Sequence, residues 1–152
     1  MAHQHREDQS IGRLISILYR QGQVYFHRKL SPYGIGHGQM PVLMYIHHHE
    51  GVTQHEISDH FRLDKGSTSN LIKGLSGHGF ISRKQDARDR RVYRLYITDK
   101  TKKLLPEFYN IFRGWTEILL NGFSEEDQKK AFELLNGMLD NTQWFLEGEG
   151  AP

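Results

Sequence analysis

Between Arg62 and Lys103 stand twelve Lys or Arg and four acidic residues, a local net charge of +8, while the rest of the chain carries −6. Cationic groups gathered in this way suit a polyanion, whose phosphates they neutralise as counterions are released. A solvated face that happens to be basic is the competing reading. Two clusters inside the block have chemistry beyond neutralisation. Lys65, Ser67, Thr68, Ser69, Asn70 and Lys73 offer hydroxyl, amide and ammonium groups that donate and accept at base edges in a major groove, or hold phosphates. Asp64, just ahead of them, fits a helix cap better than a contact, and Ser67 and Thr68 would also serve to cap and solvate that helix start. Arg88, Arg90 and Arg91 share a polar loop, and their forks fit a narrow, electronegative minor groove. The alternative is a flexible charged loop. Asp89 has the wrong sign for DNA and is expected to orient a neighbouring Arg. Thr53 and Gln54 are expected to meet DNA phosphate through the amides of a helix start.

Ten histidines raise the question of a metal. His47, His48 and His49 are consecutive, so a helix splays them over about 200° and they cannot face one ion. His55 and His60 stand at a spacing of five, not the three or four that places ligands on one helical face. His3 sits where an amino-terminal copper or nickel site would need it, but removal of Met1 spoils that spacing. No metal and no cofactor are therefore expected. The chain has no Cys, which excludes disulfides, thiolate nucleophiles and Cys-based zinc fingers. It also lacks a glycine-rich phosphate loop, a His-Glu-x-x-His pair and a nucleophile elbow, so no catalytic residue is assigned and no enzyme is expected. With a mean hydropathy of −0.65 and no run of about 20 apolar residues, a membrane span is not expected. The opening MAHQHREDQ has no signal-peptide core, and the expected location is the cytoplasm.

The elements that must carry these groups follow from periodicity. Ile11, Leu14, Ile15, Leu18, Tyr25 and Phe26 form one helical stripe that ends before Ser31-Pro32. Gly34, Gly36 and Gly38 mark a loop into a second helix with Met40, Leu43, Met44 and Ile46, where Pro41 is expected to cause a local distortion. Thr53-Gln54-His55-Glu56 has the pattern of a capping box opening a short helix through Ile57 and Phe61. Asp64 opens the next helix, with Leu71, Ile72 and Leu75 on its apolar side. This pair reads as a helix-turn-helix. Segments 80–83 and 92–97, flanking the polar loop 85–91, predict a β-hairpin with a charged tip. Thr98 caps a long helix containing Pro106, expected to kink it, and Ser124 starts a final helix carrying Phe132, Leu135, Leu139 and Phe145. The fold class is mostly α with a small β-hairpin, six helices in all. Residues 10–34 and 104–146 are assigned to a helical dimerisation region and 35–103 to the DNA-binding domain. Residues 1–9 and 147–152 are expected to be disordered. A monomer of 152 residues has little core with which to cover the long terminal stripes, and a second copy covers them economically; folding back onto the middle is the alternative.

A helix-turn-helix followed by a hairpin resembles a winged helix. The run Asp64-Lys65-Gly66-Ser67-Thr68-Ser69-Asn70-Leu71-Ile72-Lys73-Gly74-Leu75, then Gly79-Phe80-Ile81-x-Arg83 and Asp89-Arg90-Arg91, is similar to the pattern of the multiple-antibiotic-resistance regulator (MarR) family. The helix order matches from about Ser10 to Leu146. Two places depart from the family pattern: Thr101 stands where Leu-Thr-x-x-Gly would put Gly, and Ile35-Gly36 replaces Leu-Thr at the start of the second helix. The resemblance implies a homodimeric regulator, commonly a repressor, that binds double-stranded DNA at a pseudo-palindromic operator and is released by a small anionic or phenolic ligand. A pocket for such an aromatic acid is expected where the first helix meets the second and fifth, with Arg20 and Arg28 for the carboxylate and Tyr33, Met44, Tyr45 and Phe112 as walls. Plain core packing is the other account of those aromatics. The rival functions are a metal-responsive regulator, a sequence-indifferent DNA coat, and an interaction module without DNA.

Overall fold

A computed structural model of the chain describes residues 10–36 and 38–148. The tails 1–9 and 149–152, expected to be disordered, and with them the amino-terminal metal spacing at His3, lie outside the described residues; Glu147 and Gly148 form a turn after the last helix. The six helices are α1 (Ile11–Leu30), α2 (Gln39–His48), α3 (Gln54–Phe61), α4 (Lys65–Gly77), α5 (Asp99–Leu119) and α6 (Glu125–Leu146). Three strands, β1 (Val52–Thr53), β2 (Ile81–Gln85) and β3 (Tyr93–Ile97), form one antiparallel sheet in the order β1-β3-β2.

Local chemistry sets most of these boundaries. Ser10 Oγ accepts from the Arg13 amide at the start of α1. A 3-10 turn through Ser31-Pro32-Tyr33 and Gly34, with a φ of 72°, ends that helix and redirects the chain. Pro41, expected to distort α2, is instead its third residue, where the missing N–H would have had no partner within the helix, and α2 starts regularly. Both halves of the capping box form: the Glu56 amide donates to Thr53 Oγ1, and the Thr53 amide donates to Glu56 Oε2 at 2.7 Å. Asp64 Oδ1 accepts from the Ser67 amide at 2.8 Å and opens α4. Thr98 Oγ1 accepts from the Thr101 amide at the start of α5 and donates to the Gly79 carbonyl, so one hydroxyl joins the helix to the hairpin entry. α5 runs through Pro106 as a single helix.

The chain divides into two compact units at Phe112/Arg113. In the first, Leu30, Ile35, Leu43, Ile46, Ile57, Ile72, Leu75, Phe80, Leu95, Phe108 and Ile111 form one buried core. The sequence-derived boundaries at residues 34 and 104 therefore fall inside this unit. Leu30 and Phe108, from the segments assigned to dimerisation, are fully buried against the winged helix. Apolar periodicity marks one face of a helix but carries no information on which neighbour that face meets. The second unit comprises the end of α5 and α6, and α6 has no buried residue: Phe132, Leu135, Leu139, Trp144 and Phe145 are all exposed. α1 in the first unit likewise exposes Ile11, Leu14, Ile15 and Leu18.

Phe108 is fully buried and meets the Tyr33 ring edge-on at 5.5 Å between centroids. Phe108→Ala should destabilise the first unit by about 3–5 kcal/mol, from lost burial and the cavity left behind. Urea unfolding followed by far-ultraviolet circular dichroism measures it.

Candidate nucleic-acid interface

α4 presents a polar face set by its own helical register. Lys65, Ser67, Asn70 and Lys73 are exposed and Ser69 is half-buried. Ser67 also closes the cap, its hydroxyl donating to Asp64 Oδ2 at 2.6 Å, which holds that carboxylate below its ordinary range. Thr68 departs from expectation: it is fully buried. Its hydroxyl donates to the Asp64 carbonyl and accepts from the Ser58 hydroxyl, each at 3.0 Å, tying α4 to α3. The reason is spacing. Thr68 lies four residues before Ile72 and seven before Leu75, on the buried stripe of α4. That signal was available in the sequence and is masked by the hydroxyl.

The hairpin tip is built on carboxylates. Asp86 Oδ1 accepts from the amides of Arg88 (2.7 Å) and Asp89 (3.0 Å), and Asp86 Oδ2 accepts from Arg94 Nε. These hydrogen bonds, the two from the backbone foremost, hold the Asp86 carboxyl at about 2 against an ordinary 3.8. Asp89 Oδ1 accepts from the Arg91 amide and Nε, and its Oδ2 from Arg91 Nη2, so it orients Arg91 and is itself held below its ordinary range. Gln85 Nε2 donates to the Arg90 carbonyl at 2.7 Å. Arg88 and Arg90 are exposed, with no side-chain hydrogen bond or ion pair among the described residues. Asp86 and Arg94 were not among the candidate residues. The spacing Asp86-Ala87-Arg88-Asp89 is an Asx-turn pattern that points to the first, whereas Arg94 acquires its partners only through strand register.

Between the hairpin and the helix pair lies a groove of about 590 Å³. Gln54, His55 and Ser58 of α3, Lys65 and Ile72 of α4, Arg83 of β2 and Arg91, Tyr93 and Leu95 line it. The rim is cationic and the floor apolar. Arg83, part of the recognised sequence pattern but not assigned a contact, thereby joins the groove. Thr53 also borders the groove, but its amide is already taken by Glu56, whose carboxylate that amide holds below its ordinary range. A phosphate at that amide would have to displace a carboxylate, so the phosphate role assigned to Thr53 is not supported, while Gln54 keeps its position on the rim.

The residues expected to form a ligand pocket line neither of the two cavities described. Arg20 and Arg28 are exposed, and none of Arg20, Arg28, Tyr33, Met44, Tyr45 or Phe112 lines the groove or the second cavity, of about 340 Å³, which lies among residues 113–128. The aromatics pack instead on neighbours. Tyr45 is stacked between His49 and His60, with centroids 4.2 and 4.1 Å away, Tyr33 meets Phe108, and Phe112 meets Phe26. Met44 packs against the core. Among the described residues no three His, Cys, Asp or Glu side chains are grouped to hold a metal ion, and no helix is long and apolar enough to cross a membrane.

Comparison with known proteins places the geometry. A sequence model described as "MarR family" matches residues 33–92. A MarR transcriptional regulator from Methanosarcina mazei Go1 is 40% identical, with 89% of this chain and 97% of that one covered and a TM-score of 0.84. The HTH-type transcriptional regulator BilQ of Clostridioides difficile is 28% identical over 87% of this chain and 89% of its own length. The S. aureus MepR–DNA complex is similar at 26% identity, covering 87% of this chain and 98% of that chain with a TM-score of 0.76.

Because the Asp86 carboxyl lies lower in the folded chain than in an unfolded one, its ordering of the hairpin tip is complete above the ordinary carboxylate range and is lost as pH falls through about 2. The Arg88 and Asp89 amide resonances should titrate with that midpoint in NMR spectra. In Asp86→Asn the transition should vanish, and hydrogen exchange at the tip should quicken at neutral pH.

Proposed function

The chain belongs to the MarR family of transcriptional regulators, which bind DNA and are not enzymes, and from that premise we propose that it acts as a homodimeric repressor on a pseudo-palindromic operator. The observation that carries this reading is the cationic groove between α4 and the hairpin, the wing of a winged helix. Beside it, Asn70 and Lys73 on α4 and Arg88 and Arg90 on the hairpin tip are exposed, and in this reading the first two, with Ser69, meet a major groove and the two arginines the adjacent minor groove. Lys65, Arg83 and Arg91 then straddle the phosphates between the two grooves.

The dimer is supported by the exposed apolar side chains of α1 and α6. Ile11 is 57% and Leu139 59% exposed. Exposed apolar stripes of this kind suit an association face, and a two-fold pair presents two wings to two half-sites. Release by a small aromatic acid is part of the same proposal. The groove itself has suitable chemistry, with Lys65, Arg83 and Arg91 for a carboxylate and Ile72 and Leu95 beneath a ring. An acid bound there would compete directly with DNA.

The test is to titrate the protein onto an operator that it selects from a random duplex pool, against a scrambled duplex, at about 0.15 M salt. A preference of ~10³-fold or more is expected; equal, weak binding to both would identify a sequence-indifferent coat instead. Arg90→Ala should weaken binding to both duplexes with the dimer unchanged in sedimentation. Asn70→Ala should remove about 1–3 kcal/mol of discrimination between them while leaving non-specific affinity intact. An aromatic carboxylate should release the operator, and zinc, copper or nickel at equimolar dose should not.

A further inference from the structure

Arg94 stands on β3 where three separate elements converge. Its Nε donates to Asp86 Oδ2 in the wing turn, and its Nη1 donates at 2.9 Å to the carbonyl of Gly51, in the turn between α2 and β1. Across the sheet it is in register with Thr53, and its charge acts on Glu56, whose carboxylate closes the cap of α3. Both anchor points are themselves fixed. Gly51 sits at a φ of +89°, its N–H donates to the Leu95 carbonyl at 2.8 Å, and a Cβ there would meet the Tyr96 hydroxyl at 3.3 Å. The Asp86 side chain is only 12% exposed, and its second oxygen holds the Arg88 and Asp89 amides.

We propose that Arg94 and Asp86 are positioning residues for DNA binding: the fork that links the wing turn to Gly51 sets the angle at which Arg88 and Arg90 stand relative to α3 and α4. This rests on the reading that the wing contacts DNA. A two-stranded hairpin held only at its base leaves its tip to be ordered on binding, and that ordering subtracts directly from affinity. Arg94 removes the cost beforehand. A guanidinium suits the task because its planar fork reaches two acceptors in fixed directions, which a lysine ammonium, a point charge on a flexible stem, does not reproduce. Asp86 suits it because one carboxylate serves both the turn amides and the fork, so the conformation of the tip and its tether are set by the same group.

The charge-conserving variant Arg94→Lys separates positioning from phosphate contact. It would be compared with Arg90→Ala and with the double variant, on the operator selected by the wild-type chain, between about 0.05 and 0.2 M salt, where a lost phosphate contact changes the salt slope by about 0.9. Arg94→Lys is expected to lower affinity about tenfold, with the urea midpoint unchanged and faster hydrogen exchange at the Arg88 and Asp89 amides. The double variant should lose little beyond Arg90→Ala alone, because an unpositioned wing has already lost that contact. Full affinity in Arg94→Lys overturns the proposal, since charge alone would then suffice. So do losses that multiply in the double variant, which mark an independent contact, and a fall in affinity matched by a fall in the urea midpoint, which marks a purely structural role. If Arg90→Ala itself leaves affinity unchanged, the wing-contact reading fails and the positioning role falls with it. If Arg90→Ala weakens binding and Arg94→Lys does not, only the positioning role is lost.

Discussion

β3 is the strand on which the groove and the hairpin depend. It pairs with β2 along its whole length and with β1 at Leu95 and Arg94, so the wing is hydrogen-bonded directly to the segment that caps α3. Pleating divides its side chains between two tasks. Leu95 and Ile97 point into the core beside Ile57 and Ile72, while Arg94 points away and gathers Asp86 and Gly51. One five-residue strand thus fixes the depth of the wing by burial and its direction by charge. Without β1, the wing would be a hairpin joined to the helix pair only through its apolar base.

The acidic residues within the basic block have the same logic. A carboxylate beside DNA repels phosphate, yet four of them remain between Arg62 and Lys103. Asp64 caps α4, Asp86 closes the wing turn, Asp89 orients Arg91, and Asp99 in the first turn of α5 pairs with Lys102 at 3.7 Å. Each spends its charge on backbone amides or a neighbouring cation, which offsets part of its repulsion. What the chain loses in net positive charge it recovers as shape, because backbone ordered in advance need not be ordered on binding. The salt bridges matter here for geometry: exposed pairs of this kind contribute little to stability.

Much of this arrangement is legible along the chain and part of it is not. Helices with long apolar stripes, the capping box at Thr53 and the hairpin around Asp86–Arg91 follow from local rules, because periodicity and caps act over a few residues. β1 is two residues long and has no periodicity to detect; it exists because β3 offers a partner. Thr68 reads as polar and is buried, since a hydroxyl that can satisfy itself on the preceding turn and on Ser58 can enter a core. The six residues assigned to a ligand pocket line neither of the two cavities described, for a related reason. Aromatic type and helix spacing show which face is apolar, not whether neighbours leave a void, and Tyr45 fills its surroundings by stacking between two imidazoles.

The exposed side of α6 bears on stability as well as on function. Helix propensity alone leaves isolated helices marginal, and in proteins an amphipathic face packed on something else stabilises them. α6 has a well-formed cap at Ser124, three acidic residues in its first turn and apolar residues along its length, but none of its residues is buried. The cap and the acidic first turn contribute at most a few kcal/mol between them, whereas burying Phe132, Leu135 and Leu139 would contribute about 1.5–3 kcal/mol each. A single chain therefore forgoes the stabilisation that burial of these side chains would supply. In the homodimer proposed above that burial takes place, and the stability of α6 becomes a function of protein concentration. The first unit already has its core, including Leu30 and Phe108. In that proposal association supports α6 without being needed to fold the first unit. The pairing of two copies in that proposed arrangement can change while each first unit keeps its own core.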